Sequence, residues 1–303
     1  MNEKREYVEF LENVSEEIGK RYAGRVSGEI TSTVKNNGVI MQGLLLKEEG
    51  EHVAPNFYLD QMFYDWKNGR RTLAEICEEI CSSFEKEKQK NKHLLSEISF
   101  CWEEFQKNVY MRLVNRDRNA EQLEELPYKE FLDMVIVYYY SVTISDDVVG
   151  TMIIKKEHLE LLQITEEELH NTAMRNTRVF RPTCFMRMQD IISKFMDTSE
   201  LPLWQENSNM MYVLSNTSHM FGAVALLFED ELKKFSDRIG RGFYILPSSI
   251  HEVILVPEQE YMEPDYFAAI VRETNRTHVQ VTEILSDSVY YFDRNTTAVR
   301  RIR

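Results

Sequence analysis

Apolar residues early in the chain recur every three or four positions. Val8, Leu11, Val14 and Ile18 share one face at that spacing, which predicts an amphipathic opening helix. The stretch "EITSTVKNNGVIMQGLLL" that follows is rich in β-formers on both sides of Asn37-Gly38. These two residue types accept the positive φ angles of a type I′ turn, so a hairpin is predicted there. "VAPNFYL" adds an edge strand, because Pro55 has no N–H to give a central ladder. Leu73, Ile76, Ile80 and Phe84 return to the helical period and mark a second helix, with the solvated run "EKEKQKNKH" behind it.

Beyond Val109 the pattern changes. "VYMRLV", "MVIVYYYSVTI" and "VVGTMIIK" are runs of β-branched and aromatic residues and read as strands. In the triple tyrosine, the ring of Tyr139 is expected on the face opposite Tyr138 and Tyr140. Thr165 with Glu168 makes a capping-box sequence that opens a helix expected to end near Asn176. "MQDIISKFM" reads as another helix and "DTSELPLWQENSN" as a linker. Strands are predicted at 212–215 and 223–227. A helix carrying Phe228, Leu232, Phe235 and Ile239 follows, with Gly240 as its C-terminal cap. Two strands, a helix and a strand complete the order.

This irregular alternation, with hairpin-like neighbours, predicts an α+β fold of antiparallel or mixed sheets with packed helices. The same pattern divides the chain into an N-terminal α+β region with the hairpin (1–105), a central strand-helix region (106–200) and a C-terminal α+β region (201–303). The last two can equally be read as one continuous region.

The segment "FYILPSSIHEVILVP", residues 243–257, holds the most interesting chemistry. Its two runs are apolar at every position, as in strands covered on both faces. Ser249, His251 and the distant Asp287 are the candidate nucleophile, base and carboxylate. Extended residues two apart stand about 6.6 Å from each other along a strand. Ser249 and His251 would then exceed the roughly 3 Å of a nucleophile–base hydrogen bond, and Glu252 would point away from the imidazole. A turn through Leu246-Pro247-Ser248-Ser249 fits better, since Pro and Ser are common turn formers. That leaves a solvent-facing His251 as the one chemically interesting member.

Composition narrows the classes further. The 303 residues suffice for a buried core in one large domain or two modest ones. Against 50 acidic residues stand 36 basic ones, a formal charge of −14 that opposes binding to phosphate backbones and anionic membranes. No run approaches the ~18 apolar residues of a membrane span. The N-terminus is charged from its third residue, so no secretory leader is expected. Cys77, Cys81, Cys101 and Cys184 are then expected to be reduced thiols in a cytoplasmic protein.

Cys77 and Cys81 sit one helical turn apart but lack a second pair, so they read as small apolar core residues and no metal is expected. The aromatic group Phe57, Tyr58, Phe63, Tyr64 and Trp66 reads as core or helix–sheet packing, because Asp60 and Asp65 make a poor base-stacking groove. Gly240-Arg241-Gly242 lacks the third glycine of a dinucleotide turn, and His251-Glu252 lacks the second histidine of a zinc protease. No cofactor is expected.

"YVLSN" (212–216), "YILPSSIHEVIL" (244–255) and "LSDSVYYFD" (285–293) resemble the domain of unknown function family numbered five-six-eight-eight, found in anaerobic gut Firmicutes. "NNGV" (36–39), "LVN" (113–115), "FLDMVIVYY" (131–139), "HLELLQITEEEL" (158–169) and "NT" (176–177) match in the same order, so the resemblance covers nearly the whole chain. More distantly the layout is similar to the uncharacterised YtpQ-like family. Neither resemblance implies an activity, a cofactor or a catalytic residue. The leading expectation is a non-catalytic binding or regulatory module with a protein partner. The alternatives are a hydrolase or transferase using His251 with a serine and a carboxylate, and an acidic decoy that mimics nucleic acid.

Overall fold

The computed structural model describes residues 2–48, 55–91, 100–145, 148–194, 211–260 and 263–303. The linker sequence at 197–209 and the end of the charged run lie outside them. The chain divides into two units: Met1–Lys35, Val39–Ser99 and Val142–Gly150 form the first, and Asn36–Gly38, Phe100–Ser141 and Thr151–Arg303 the second. The fold is α+β, and no described helix is long and apolar enough to cross a membrane.

In the first unit, α1 (Asn2–Arg21) buries Phe10, Leu11, Val14 and Ile18. β1 (Val26–Val34) and β2 (Ile40–Glu48) pair antiparallel from Val34–Ile40 outward, and β3 (Asn56–Tyr58) takes the other edge of β2, as Pro55 implied. The hairpin is present, with Asn37 at φ 62° and Gly38 at φ 68°. Its connection is wider than the two-residue turn expected: the Lys35 N–H donates to the Val39 carbonyl at 2.7 Å.

The helix α2 (Asp60–Lys67) was not legible in the sequence. It carries Phe63 into the core, 5.1 Å from the Tyr7 ring and 5.5 Å from that of Phe10. Phe57 and Trp66 pack against the same core, as expected for the aromatic group, whereas Tyr64 is exposed. α3 (Leu73–Asn91) buries Ile76, Cys77, Ile80 and Phe84 in the same core.

The chain then runs α4 (Trp102–Phe105), β4 (Val109–Asn115), α5 (Ala120–Leu123), β5 (Tyr128–Phe131), β6 (Met134–Ser145), β7 (Val148–Ile153), α6 (Lys156–Leu162) and α7 (Glu166–Phe180). All of these belong to the second unit except Val142–Gly150, which takes in the end of β6 and the start of β7. β4, β6 and β5 pair in that order, and β7 also pairs with β6. The capping box forms as read: Thr165 Oγ1 accepts from the Glu168 N–H at 3.1 Å, and Glu168 reaches back to the Thr165 N–H. α7 outlasts the expected end at Asn176 because its last turns close the open edge of β4. Asn176 Nδ2 donates to the Val109 carbonyl at 3.0 Å, and Thr177 Oγ1 accepts from the Met111 N–H at 3.1 Å.

A six-stranded sheet follows, built from β8 (Thr183–Arg187), β9 (Tyr212–Asn216), β10 (Phe243–Pro247), β11 (Val253–Pro257), β12 (Tyr290–Asp293) and β13 (Ala298–Arg301). Its spatial order is β13-β12-β10-β11-β9-β8, with every neighbouring pair antiparallel. Among the described residues this part of the chain also holds the helices α8 (Met188–Ile192), α9 (Glu229–Ile239) and α10 (Pro264–Thr277). α9 ends on Gly240 at φ 76°, the left-handed cap expected.

The apolar runs form the two central strands, covered on both faces. Tyr244, Leu246 and Val256 pack with Phe267, Ala268 and Val271 of α10, and on the other face Phe243 meets Phe235 of α9 at 5.3 Å. Ile254 departs from this pattern and is only half-buried.

Three local expectations are corrected. Residues 222–227 form a short 3-10 helix, not a strand, fully buried along Ala223–Leu226. "MQDIISKFM" is helical only over Met188–Ile192 within the described residues, with a strand before it. Pro247 ends β10 opposite Val253, so the turn is Ser248–Glu252, in which the Ser248 and Ser249 N–H groups both donate to the Glu252 carbonyl.

Candidate functional site

The turn between β10 and β11 holds two of the three candidate catalytic residues, and their hydrogen bonds run elsewhere. Ser249 Oγ accepts from the backbone N–H of His251 at 3.0 Å. The imidazole Nδ1 accepts from the Phe221 N–H at 3.1 Å, which puts the ring proton of the neutral form on Nε2. Nε2 stands 3.9 Å from Glu283 Oε1, and the ring stacks on Phe221 at 5.4 Å. Asp287 is engaged by Arg118 Nη2 and by Asn275 Nδ2, each at 2.8 Å. No hydrogen bond links Ser249, His251 and Asp287 side chains to one another among the described residues, so the relay of a nucleophile, its base and an orienting carboxylate is not assembled here.

Asp287 belongs instead to a polar network that sequence reasoning missed. Asn115 Nδ2 donates to the Leu285 carbonyl at 3.1 Å, and the Asn37 side chain donates to the carbonyls of Val281 and Ile284, each at 2.7 Å. Asp133 accepts from the hydroxyls of Ser286, Ser288 and Tyr290. Burial alone would raise the Asp133 pKa, but these hydroxyls outweigh it and hold the carboxyl below its ordinary value. The network anchors the chain between α10 and β12, and no motif announces it, because its members lie up to 247 residues apart.

Burial pushes the Cys77 thiol up to about 11 and raises that of Cys81 as well, so both thiols resist ionising at neutral pH. All four cysteines are free. Among the described residues no three His, Cys, Asp or Glu side chains gather as a metal site would require.

A concavity of about 730 Å³ lies where β8, β9 and the end of α9 meet, lined also by Asp190, Ile191 and Lys194. Its apolar wall is an aromatic stack. Phe185 of β8 lies parallel to Phe235 of α9 at 4.7 Å, and Tyr212 of β9 meets Phe235 edge-on at 4.9 Å. Antiparallel pairing of β8 with β9 brings Phe185 and Tyr212 to this end of the sheet, and the helical spacing of Leu232, Phe235 and Ile239 turns Phe235 toward it.

Around the stack stand four cationic side chains, Arg187, Lys194, Arg238 and Arg241, with Asp190 as the one carboxylate of the lining among the described residues. Arg187 forks onto Asp190 at 2.8 and 3.1 Å. The Arg238 guanidinium lies 5.1 Å over the Phe235 ring, and Arg241 Nη1 donates to the Glu258 carbonyl at 3.1 Å. In a chain of net charge −14, this is a local reversal of sign. The arrangement can hold an anionic group against an aromatic wall. Nothing in the sequence spacing pointed to it, because its cations fall at 187, 194, 238 and 241 and meet only through the packing of strand and helix ends.

No curated protein and no solved structure matches the chain. A family model described as "Family of unknown function (DUF5688)" matches residues 7–294. That match spans both units and includes the hairpin turn, the polar network and the cationic cleft, so the protein belongs to the family of unknown function DUF5688.

Proposed function

We propose that the protein is a non-catalytic binding module that takes an acidic segment of a protein partner into the cleft beside β8. The observation that carries this reading is the gathering of four cationic side chains around an aromatic wall in an otherwise acidic chain. β8 ends its sheet among the described residues, so its outer edge offers backbone donors and acceptors to an extended peptide. Acidic side chains of that peptide would meet Arg238 and Arg241, and its apolar ones the Phe185–Tyr212 wall. The separate engagements of Ser249, His251 and Asp287 favour binding over hydrolysis. A cytoplasmic setting is part of the proposal and is supported by the four free thiols.

Fluorescence polarisation with labelled acidic-aromatic peptides, against neutral peptides of the same length, tests it. Tighter binding of the acidic peptides is expected, weakened about tenfold or more by Arg238→Glu and further by added salt. Equal binding of acidic and neutral peptides, or an unaltered affinity in Arg238→Glu, would overturn the reading.

A further inference from the structure

Two half-buried arginines of the second unit have no carboxylate partner among the described residues. Arg112 stands on β4 and Arg181 directly follows α7. Their neighbours in sequence are paired: Arg118 with Asp287, Arg178 with Asp230, and Arg187 with Asp190. With 50 acidic residues in the chain, the missing partner does not reflect a shortage of carboxylates.

Strand register sets the two guanidiniums around one tyrosine. Tyr110 is opposite Tyr139 in the β4–β6 ladder, and Arg112 shares the face of Tyr110. The Arg181 guanidinium lies 4.5 Å over the Tyr110 ring and 5.9 Å from that of Tyr139. Arg112 lies 4.8 Å over the ring of Phe221, which meets Tyr139 edge-on at 5.0 Å. The backbone holds Phe221 at φ 55°, a region that a bulky side chain rarely enters, and its N–H is fixed by His251 Nδ1.

The cluster is rich in donors and short of acceptors. Five buried side-chain polar atoms lack a partner among the described residues, and three of them meet here: Arg112 Nε, Arg181 Nε and Tyr139 Oη. Arg181 spends its other nitrogens on the hydroxyls of Ser218 and Ser141, at 2.9 and 3.1 Å. The Arg112 guanidinium is enclosed by protein although the residue as a whole is only half-buried. Burial lowers its pKa to about 10, so it stays charged at neutral pH. Burial lifts Tyr139 to about 12 against the pull of both guanidiniums, so its hydroxyl keeps a proton to donate.

Unpaired buried charge is unfavourable, and an acceptor-only anion removes the deficit. We propose that this face of the β4–β6 sheet binds a phosphate group, held by Arg112, Arg181 and the Tyr139 hydroxyl. A phosphate dianion balances two guanidinium charges, and its tetrahedral oxygens accept from donors that converge from different elements. A carboxylate offers one charge and a single plane of acceptors. The site shares no residue with the cleft beside β8, so the two readings fail separately.

The test is a titration of the full chain with inorganic phosphate at fixed ionic strength, with O-phosphoserine in a parallel arm. Binding is followed by phosphorus NMR line broadening and by thermal melting. Saturable binding and a raised melting temperature are expected in one arm or both. Inorganic phosphate alone would mark a free-anion site, and O-phosphoserine alone a site for phosphate esters. Tyr139→Phe should melt at or above the wild-type temperature, since it removes an unpartnered hydroxyl, yet bind about tenfold more weakly, as loss of one charge-assisted hydrogen bond implies. Arg181→Met should abolish binding, and Arg112→Lys supplies a charge-conserving control if larger changes prevent folding. Absence of saturable binding in both arms, or wild-type affinity in folded Tyr139→Phe and Arg181→Met, would overturn the proposal.

Discussion

Replacing Asp133 tests whether the polar network, rather than catalysis, explains the "LSDSVYYFD" segment. Asp133 follows Leu132, which sits at φ 59° in the turn between β5 and β6. Its Oδ2 accepts from Ser286 Oγ at 2.8 Å and Ser288 Oγ at 2.9 Å, and its Oδ1 from Tyr290 Oη at 2.5 Å. Ser286 and Tyr290 are fully buried and Ser288 nearly so. Hydrogen bonds to a charged group contribute about 1.5–3 kcal/mol each, and bonds sharing one acceptor do not add in full. In Asp133→Asn one oxygen becomes an amide nitrogen that cannot accept, so the hydroxyl or hydroxyls facing it lose their bond to a charged acceptor. A loss of about 2–4 kcal/mol is expected, and more in Asp133→Ala.

Urea denaturation followed by tryptophan fluorescence and circular dichroism measures the difference. The sign of the pH dependence follows from the depressed native pKa. The unfolded chain takes up its proton near pH 4 while the native carboxyl is still ionised. The stabilisation is therefore complete above about pH 4 and is lost as pH falls through the native pKa. Asp133→Asn should flatten that part of the acid limb. A variant within about 0.5 kcal/mol of wild type, with an unchanged acid limb, would refute the reasoning.

Other substitutions probe the central hairpin and its neighbours. Leu255→Ala, at a fully buried position, should cost about 2–5 kcal/mol in chemical denaturation, and half-buried Ile254→Ala distinctly less; equal losses would contradict the packing described. Ser249→Ala removes one hydrogen bond to the His251 N–H and should cost about 0.5–1.5 kcal/mol in the same assay, so a far larger loss would point to a role beyond the turn. Gly222→Ala should lower the melting temperature clearly, because its Cβ would fall 2.2 Å from Ser215 Oγ and 2.6 Å from the backbone at Asn216 and His251. Overpacking of this kind costs about 1–3 kcal/mol, and an unchanged melting temperature would show that the loop can yield.

What the sequence determined by itself is what neighbours along the chain can settle. The capping box at Thr165–Glu168, the Gly240 cap, the positive φ angles at Asn37 and Gly38 and the pairing of the two apolar runs depend on residues a few positions apart. A short connection forces two strands to be antiparallel wherever they lie. The identity of residues 223–227 was beyond that reach, since a continuous apolar run has no polar side to reveal its period. β8 escaped for the related reason that its partner strand β9 begins 25 residues after it ends.

The same distinction governs the chemistry. Ser249, His251 and Asp287 drew attention as residue types, yet side-chain direction and competing partners decide what such groups do, and those were set by Phe221, Arg118 and Asn275. The cationic cleft and the Arg112–Arg181 cluster carry no local signature. Tertiary structure alone decided them, because strand register and the end points of helices brought together charges that the chain keeps far apart.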